Sequence, residues 1–380
     1  MSAQREIVII TGSSGLIGAA AVRRLAVHST VIGFDREGDP NPPIEAECVC
    51  VDVTSDESVR TGLARVRYAY GDRIASVIHL AAYYDFSGEP SPKYEEVTVR
   101  GTERLLRALR GFHVEQFVFS STMLVHAPSK ERRPISEGSR LDPKWDYPRS
   151  KVETERLIQK QHGKIPAVVL RIAGVYDDWC HSPPIAHHVQ RIYERQLTSH
   201  VFPGDPGRGR QSFLHLEDLL DAFELLVRQR AELPRELTLL LGESEAMSFA
   251  ELQQTIGQLV HGEEWSTRHV PEPVAEVGAW LQDKLPGARE QFIKPWMVPL
   301  ADDDFELDIT RSAEVLGWEP RHRLRDELPK MIKRLKADPQ RWYRENKLDA
   351  PAWLEAAKQA APEHGESPAG PEHAVIPERT

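Results

Sequence analysis

Ile7-Val8-Ile9-Ile10-Thr11-Gly12-Ser13-Ser14-Gly15-Leu16-Ile17-Gly18 decides the fold. The β-branched run Ile7–Ile10 predicts a buried strand. Apolar residues from Ile17 to Ala26 recur at helical spacing, so the strand leads through a glycine turn into a helix. Gly12 lets the chain turn tightly after the strand. Gly15 removes a side chain where backbone must approach a pyrophosphate, and Gly18 lets the helix pack close to the sheet. The helix start then offers unpaired N–H groups and a positive dipole end to phosphate. Asp35 ends the next apolar run 17 residues beyond Gly18. That is close to the ~20 expected of an acid that accepts hydrogen bonds from an adenosine ribose. Its charge repels a 2′-phosphate, which favours NAD and makes NADP the weaker cofactor. Arg36 works the other way, because a guanidinium there can pair with a 2′-phosphate.

Outward from this turn the chain alternates. Apolar runs at Val31–Phe34, Cys48–Val51, Val77–Leu80, Gln116–Ser120 and Ala167–Ile172 predict further strands, and helical periods fall between them at 60–68, 95–109 and after Tyr147. Continuous apolar strands separated by helices predict a parallel sheet covered on both faces, and right-handed crossovers make it doubly wound. Beyond 173 the pattern becomes irregular. A helix is expected over 216–230, a strand over 237–241, and a helix over 248–260 opened by a Ser248/Glu251 capping box. Leu324, Leu328, Met331, Ile332 and Leu335 fall on one helical face. Residues 262–305 are Pro-dotted and weakly periodic, and 361–380 have the composition of a disordered tail. The expected organisation is therefore an α/β fold: a dinucleotide-binding domain over 1–173, to which 210–240 returns, and a smaller α/β substrate-binding lobe mainly over 174–336. A helical extension over 337–360 and the tail follow.

Bulk composition narrows the function classes. The chain has 380 residues and a formal charge of −10, with 40% apolar and 28% charged residues. A large core fits this length, and a general nucleic-acid binder, which needs a basic face, does not. No apolar run reaches the ~18–20 residues of a spanning helix. The three cysteines, Cys48, Cys50 and Cys180, form no CxxC pair and fit a reducing cytoplasm. Cys48 and Cys50 alternate along a strand and read as small core residues. The histidines at 181, 187, 188 and 200 match no zinc spacing, so no metal is expected.

Tyr147-Pro148-Arg149-Ser150-Lys151 puts a phenol and an amine four residues apart, on one helical face. A free phenol titrates near pH ~10 and is a poor base. An adjacent ammonium stabilises the phenolate, so the pair reads as a base for a substrate hydroxyl.

Together these motifs resemble the extended short-chain dehydrogenase/reductase superfamily, its NAD-dependent epimerase/dehydratase branch. Thr11–Gly18 resembles its TGxxGxxG. Asp52-Val53 looks like its adenine-contacting pair, and His79-Leu80-Ala81-Ala82 like its HLAA motif. Val99-x-Gly101-Thr102, Phe213–Asp218 and Leu316–Pro320 look like NVxGT, FVHVDD and LGWxP. The match spans about 6–336. It implies a Rossmann-like sheet and a Thr122, Tyr147, Lys151 triad, Thr122 lying 25 residues before Tyr147 with Ser121 as the fallback. It implies cofactor contacts from the turn (Gly12, Ser14, Gly15, Leu16, Ile17 and Gly18), from Asp35 and Arg36, and from Asp52 and Val53. Leu80, Ala81, Ala82, Ser120, Tyr147 and Lys151 complete that set. A homodimer through helices near 95–109 and 148–161 is implied as well.

The chain also departs from its relatives. Dehydratases carry Asp-Glu after the catalytic Thr, where this chain has Met123 and Leu124. Gly174 replaces the Asn of RxxNVYG, Gln211 the diphosphate Arg, Thr98 a helix Asn and His126 the Tyr of VYG. Arg208 and Arg210 lie near Gln211. The expectation is an NAD-dependent oxidoreductase acting on a small-molecule secondary alcohol or ketone, 3β-hydroxysteroid-dehydrogenase-like or related. A nucleotide-sugar epimerase with tightly bound NAD is the alternative in the same branch, and a non-catalytic NAD(P) sensor the alternative from another class.

Overall fold

The computed structural model describes residues 5–36, 43–85, 88–129, 133–205, 207–270 and 295–354. The seven strands of its main sheet are β1 (Ile7–Thr11), β2 (Thr30–Asp35), β3 (Glu47–Cys50), β4 (Ser76–His79), β5 (Phe117–Thr122), β6 (Ala167–Ile172) and β7 (Glu236–Leu241). All pair in parallel, in the order β7-β6-β5-β4-β1-β2-β3. The chain winds outward from β1 in both directions. This is the doubly wound, Rossmann-like sheet, whose switch point lies between β1 and β4.

Alternation along β1 shows why both faces must be covered. Val8 and Ile10 face one apolar core, with Ala21, Val22 and Leu25 of α1 (Leu16–Leu25) and Leu219, Phe223 and Leu226 of α6 (Leu216–Gln229). Ile7 and Ile9 face the other. There they meet Val59 and Leu63 of α2 (Asp56–Tyr70), Leu105 and Leu109 of α3 (Arg100–Leu109), and Ile158 of α4 (Asp146–Gln161). A third core joins α5 (Pro183–Tyr193), α7 (Phe249–His261) and α9 (Leu324–Ala337), with Trp342 and Tyr343 of α10 (Pro339–Glu345). α8 (Thr310–Leu316) ends on Gly317, in the left-handed region at φ 62°.

Ser248 and Glu251 form the expected capping box of α7, and the apolar face of α9 is buried as its spacing predicted. Two local expectations change. The 95–109 helix opens as a π-turn, Tyr94–Val99, before α3 begins. Cys48 and Cys50 are exposed, not core residues. The reason is the sheet order: β3 is an edge strand, and only its Val49 face packs, under α2. The anticipated tail, 361–380, lies outside the described residues, as does much of 262–305. No helix among the described residues is long and apolar enough to cross a membrane.

Candidate active site

The glycine turn builds a concave backbone surface at the carboxyl end of β1. Gly12 sits at φ 70°, and a Cβ there would press on the Ala81 backbone at 3.1 Å. A Cβ on Gly18 would lie 2.0 Å from the Gly12 carbonyl, so the helix can cross the turn only with glycine. A Cβ on Gly15 would meet nothing closer than 3.5 Å, and Gly15 caps α1 without a side chain. The first-turn amides at Leu16 and Ile17 therefore face no capping group from the protein. The buried hydroxyls of Ser13 and Ser14 make no hydrogen bond. Unclaimed donors around a glycine hollow fit a dinucleotide pyrophosphate. Asp35 reaches the same turn: its carboxylate accepts from the Ser14 amide and the Arg36 amide, both at 2.8 Å. Arg36 is exposed. Asp52 lies past the end of β3, where it accepts from the Thr54 amide at 2.8 Å, and Val53 packs against Gly101.

A buried chain of hydrogen bonds ties this turn to the neighbouring strands. The Thr11 hydroxyl meets His79 Nδ1 at 2.7 Å and accepts from the Ala81 amide at 3.1 Å. His79 Nε2 meets the Thr102 hydroxyl at 2.9 Å, which in turn donates to the Thr98 carbonyl at 2.6 Å. Burial, then the charge of Lys151, holds His79 neutral, its pKa lowered to about 3. A neutral ring accepting at Nδ1 and donating at Nε2 satisfies every partner. The Thr98 side chain, where relatives have Asn, accepts from the Tyr83 amide at 3.1 Å. Leu80 follows as its amide donates to the Thr11 carbonyl at 3.2 Å, and Ala82 continues the half-buried turn.

Three side chains converge one strand further on. Ser120 ends close to β4, its hydroxyl donating to the His79 carbonyl at 3.2 Å. Lys151, on α4, donates to the Ser120 carbonyl at 2.7 Å, with Nζ 5.7 Å from the centre of the Tyr147 ring. Thr122, the last residue of β5, lies near the Tyr147 phenol, and its hydroxyl accepts from the Leu124 amide at 3.3 Å. Burial lowers the Lys151 amine to about 7, against a smaller opposing pull from Glu155. Burial raises the Tyr147 phenol above its ordinary value, and nearby Thr122 works against that rise. Thr122, Tyr147 and Lys151 thus come together, whereas Ser121 turns away. Its hydroxyl donates to Glu155 at 2.5 Å, and Glu155 holds Arg171 at 2.7 Å. Arg171 also meets His126 Nε2 at 3.1 Å.

Two features were missed from the sequence. Tyr84 stands edge-on to Tyr147 at 4.8 Å, and Trp145 lies 5.0 Å from Trp296. Met123 and Leu124, which follow Thr122, pack with the apolar core on the α1 and α6 side of the sheet. The Tyr pair directly after the Ala81-Ala82 turn was the available signal. The second is Glu155, whose place four residues after Lys151 marked it for the same helix face.

Among the described residues one group has metal-ligand atoms within 4.8 Å: Asp178, His215 and Glu327. Its chemistry suits protons better. Lys330 lies 2.6 Å from Glu327, Arg334 lies 2.6 Å from Asp178, and His215 Nδ1 accepts from the Glu217 amide at 3.2 Å. The neutral ring therefore carries its proton on Nε2, the atom a metal would need.

A model of the NAD dependent epimerase/dehydratase family matches residues 8–242. Human 3 beta-hydroxysteroid dehydrogenase type 7 is 28% identical over 217 residues, covering 51% of this chain and 55% of that protein. The chain thus spans about half the length of that relative. UDP-glucose 4-epimerase of Streptomyces lividans is 26% identical over 273 residues, covering 65% of this chain and 79% of that one. Among solved structures, UDP-glucose 4-epimerase of Thermus thermophilus in complex with NAD superposes with a TM-score of 0.65 at 21% identity, over 87% of this chain and 99% of that one.

Proposed function

We infer the function from one premise: this chain belongs to the NAD dependent epimerase/dehydratase family. The reading it supports best is an NAD-dependent oxidoreductase that interconverts a secondary alcohol and its ketone. One observation carries it: the Lys151 amine lies 5.7 Å from the centre of the Tyr147 ring, with Thr122 near the phenol.

The glycine turn, with Asp35 at its side, would hold the dinucleotide, and the Asp35 charge favours NAD over NADP. Leu16, Ile17, Ser14, Ala81 and Ala82 would line the pyrophosphate side, Asp52 and Val53 the adenine side. NAD, when bound there, would supply the hydride transfer at the carbinol carbon. Thr122 orients the substrate oxygen toward Tyr147. Tyr147, as phenolate, takes the hydroxyl proton. Lys151, while protonated, would stabilise that anion, and its release from the Ser120 carbonyl would free it for a ribose hydroxyl.

A sugar epimerase is the second reading, favoured by the Streptomyces lividans relative. It uses the same three residues and returns the hydride after the ketone turns over. The apolar positions Met123 and Leu124 support simple alcohol chemistry over elimination of water. Net formation of reduced cofactor during turnover separates the two.

The same reading divides the chain at 173/174, with 210–240 returning to the first domain; the place of β7 in the main sheet supports this. It includes a homodimer through the 95–109 and 148–161 helices, which pack side by side on one face of the sheet. Three cysteines without a disulfide support a cytoplasmic setting.

Tyr147→Phe tests the chemistry. Turnover of a secondary alcohol should fall by about 10²-fold or more while NAD, followed by cofactor fluorescence, still binds. Unaltered turnover would sink the reading.

A further inference from the structure

We propose that Arg191 anchors an anionic group of the substrate, a phosphate ester or a carboxylate, in the lobe built on α5 and α7. Arg191 lies in the last turn of α5 and is 8% exposed. Its side chain makes one hydrogen bond, from Nη2 to His188 Nδ1 at 2.8 Å. That partner is uncharged: burial, then the charge of Arg191 itself, pushes His188 far down. The guanidinium too is lowered by burial, and no carboxylate among the described residues offsets it. Glu194, three residues on, is taken by Gln190 and Tyr343.

Other arginines show what is missing. Arg171 holds Glu155, Arg230 holds Glu6 and Glu115, and Arg24 faces Glu217 and Asp221. The end of α5 offers Arg191 only a partial negative charge. A buried cation without a counter-charge is strongly unfavourable unless an anion reaches it from outside the chain. A planar fork with free N–H groups suits the paired oxygens of phosphate or carboxylate.

The surroundings form one wall. His188 packs edge-on to Phe249 at 4.9 Å, and Phe249 stacks on Phe202 at 3.8 Å. The Phe249 amide donates to the Arg208 carbonyl at 3.4 Å. The exposed Arg208 side chain is turned toward Asp205 at 3.8 Å, which leaves Arg191 as the buried cation behind this segment.

The inference deepens the oxidoreductase reading and rests on it for the word substrate. The test uses the full chain saturated with NAD, so that the glycine turn cannot bind the probe. Inorganic pyrophosphate and malonate are titrated separately by calorimetry at constant ionic strength. Wild type should bind one of them, which identifies the anion class. Arg191→Gln should weaken that binding by about tenfold or more, as loss of a charged hydrogen bond does, and Arg191→Lys by less. NAD affinity should not change, and the ligand-free Arg191→Gln chain should melt at the same temperature or higher. No binding of either anion by wild type, equal binding by Arg191→Gln, or a lower melting temperature of that variant would each overturn the proposal. Loss of turnover in Tyr147→Phe bears on the chemistry alone and leaves this result separate.

Discussion

Lys151 is 3% exposed, and its amine rests on a backbone carbonyl. Burial lowers it to about 7 in the folded chain, against an ordinary value of 10.5. Between these values the unfolded chain binds the proton and the folded chain does not. Stability therefore rises as pH increases from 7 toward 10, by an amount on the order of a few kcal/mol. Lys151→Met should abolish that rise. Urea unfolding of both chains at pH 7 and pH 9.5 measures it, below the range in which the raised Tyr147 phenol begins to matter. Parallel slopes for the two chains would contradict the assignment. The YxxxK spacing was readable from the sequence because helical geometry is local. The nearness of Thr122 to Tyr147 spans two elements, so no local pattern encoded it and only the family resemblance pointed to it.

At the scale of elements, the buried Glu155–Arg171 pair fastens α4 to β6, and Ser121 adds β5 to the same carboxylate. Both partners are about one-tenth exposed, at 10% and 8% of their side chains. Removing one charge of such a pair strands the other. Arg171→Met should cost about 3–5 kcal/mol in urea unfolding, and much of that should return in Arg171→Met/Glu155→Leu. A cost under about 1 kcal/mol would mean the pair behaves as a surface ion pair. Edge position explains the cysteines in the same terms. Cys48 and Cys50 should react with a thiol reagent in the native protein, and buried Cys180 only after unfolding. Mass spectrometry counts the labels; fewer than two native labels would contradict the edge placement of β3, and three would contradict the burial of Cys180.

Across the whole molecule, the last segments are locked to the first domain by long-range contacts. Trp318 is 2% exposed, and its indole donates to the Asp218 carbonyl at 2.9 Å. Asp218, fully buried, accepts from the His322 amide and ring at 3.0 and 2.9 Å. Leu324 donates to Glu243, whose carboxyl burial pushes up to about 7. Trp318→Ala should destabilise the fold by about 3–5 kcal/mol, the usual cost of emptying a large buried ring. A single cooperative melt at lower temperature is expected; a separate early transition would mean that the C-terminal segment unfolds alone.

The sequence by itself determined the parallel sheet, its glycine turn and the tyrosine–lysine helix face. Each follows from residues near one another in the chain, where period and side-chain size leave few conformations. Tertiary structure alone decided which apolar strand became an edge, how His79 joins the turn to α3, and that Arg191 is buried without a carboxylate. Those outcomes depend on strand order and on contacts across many residues of chain, and no local pattern encodes the charge on the other side.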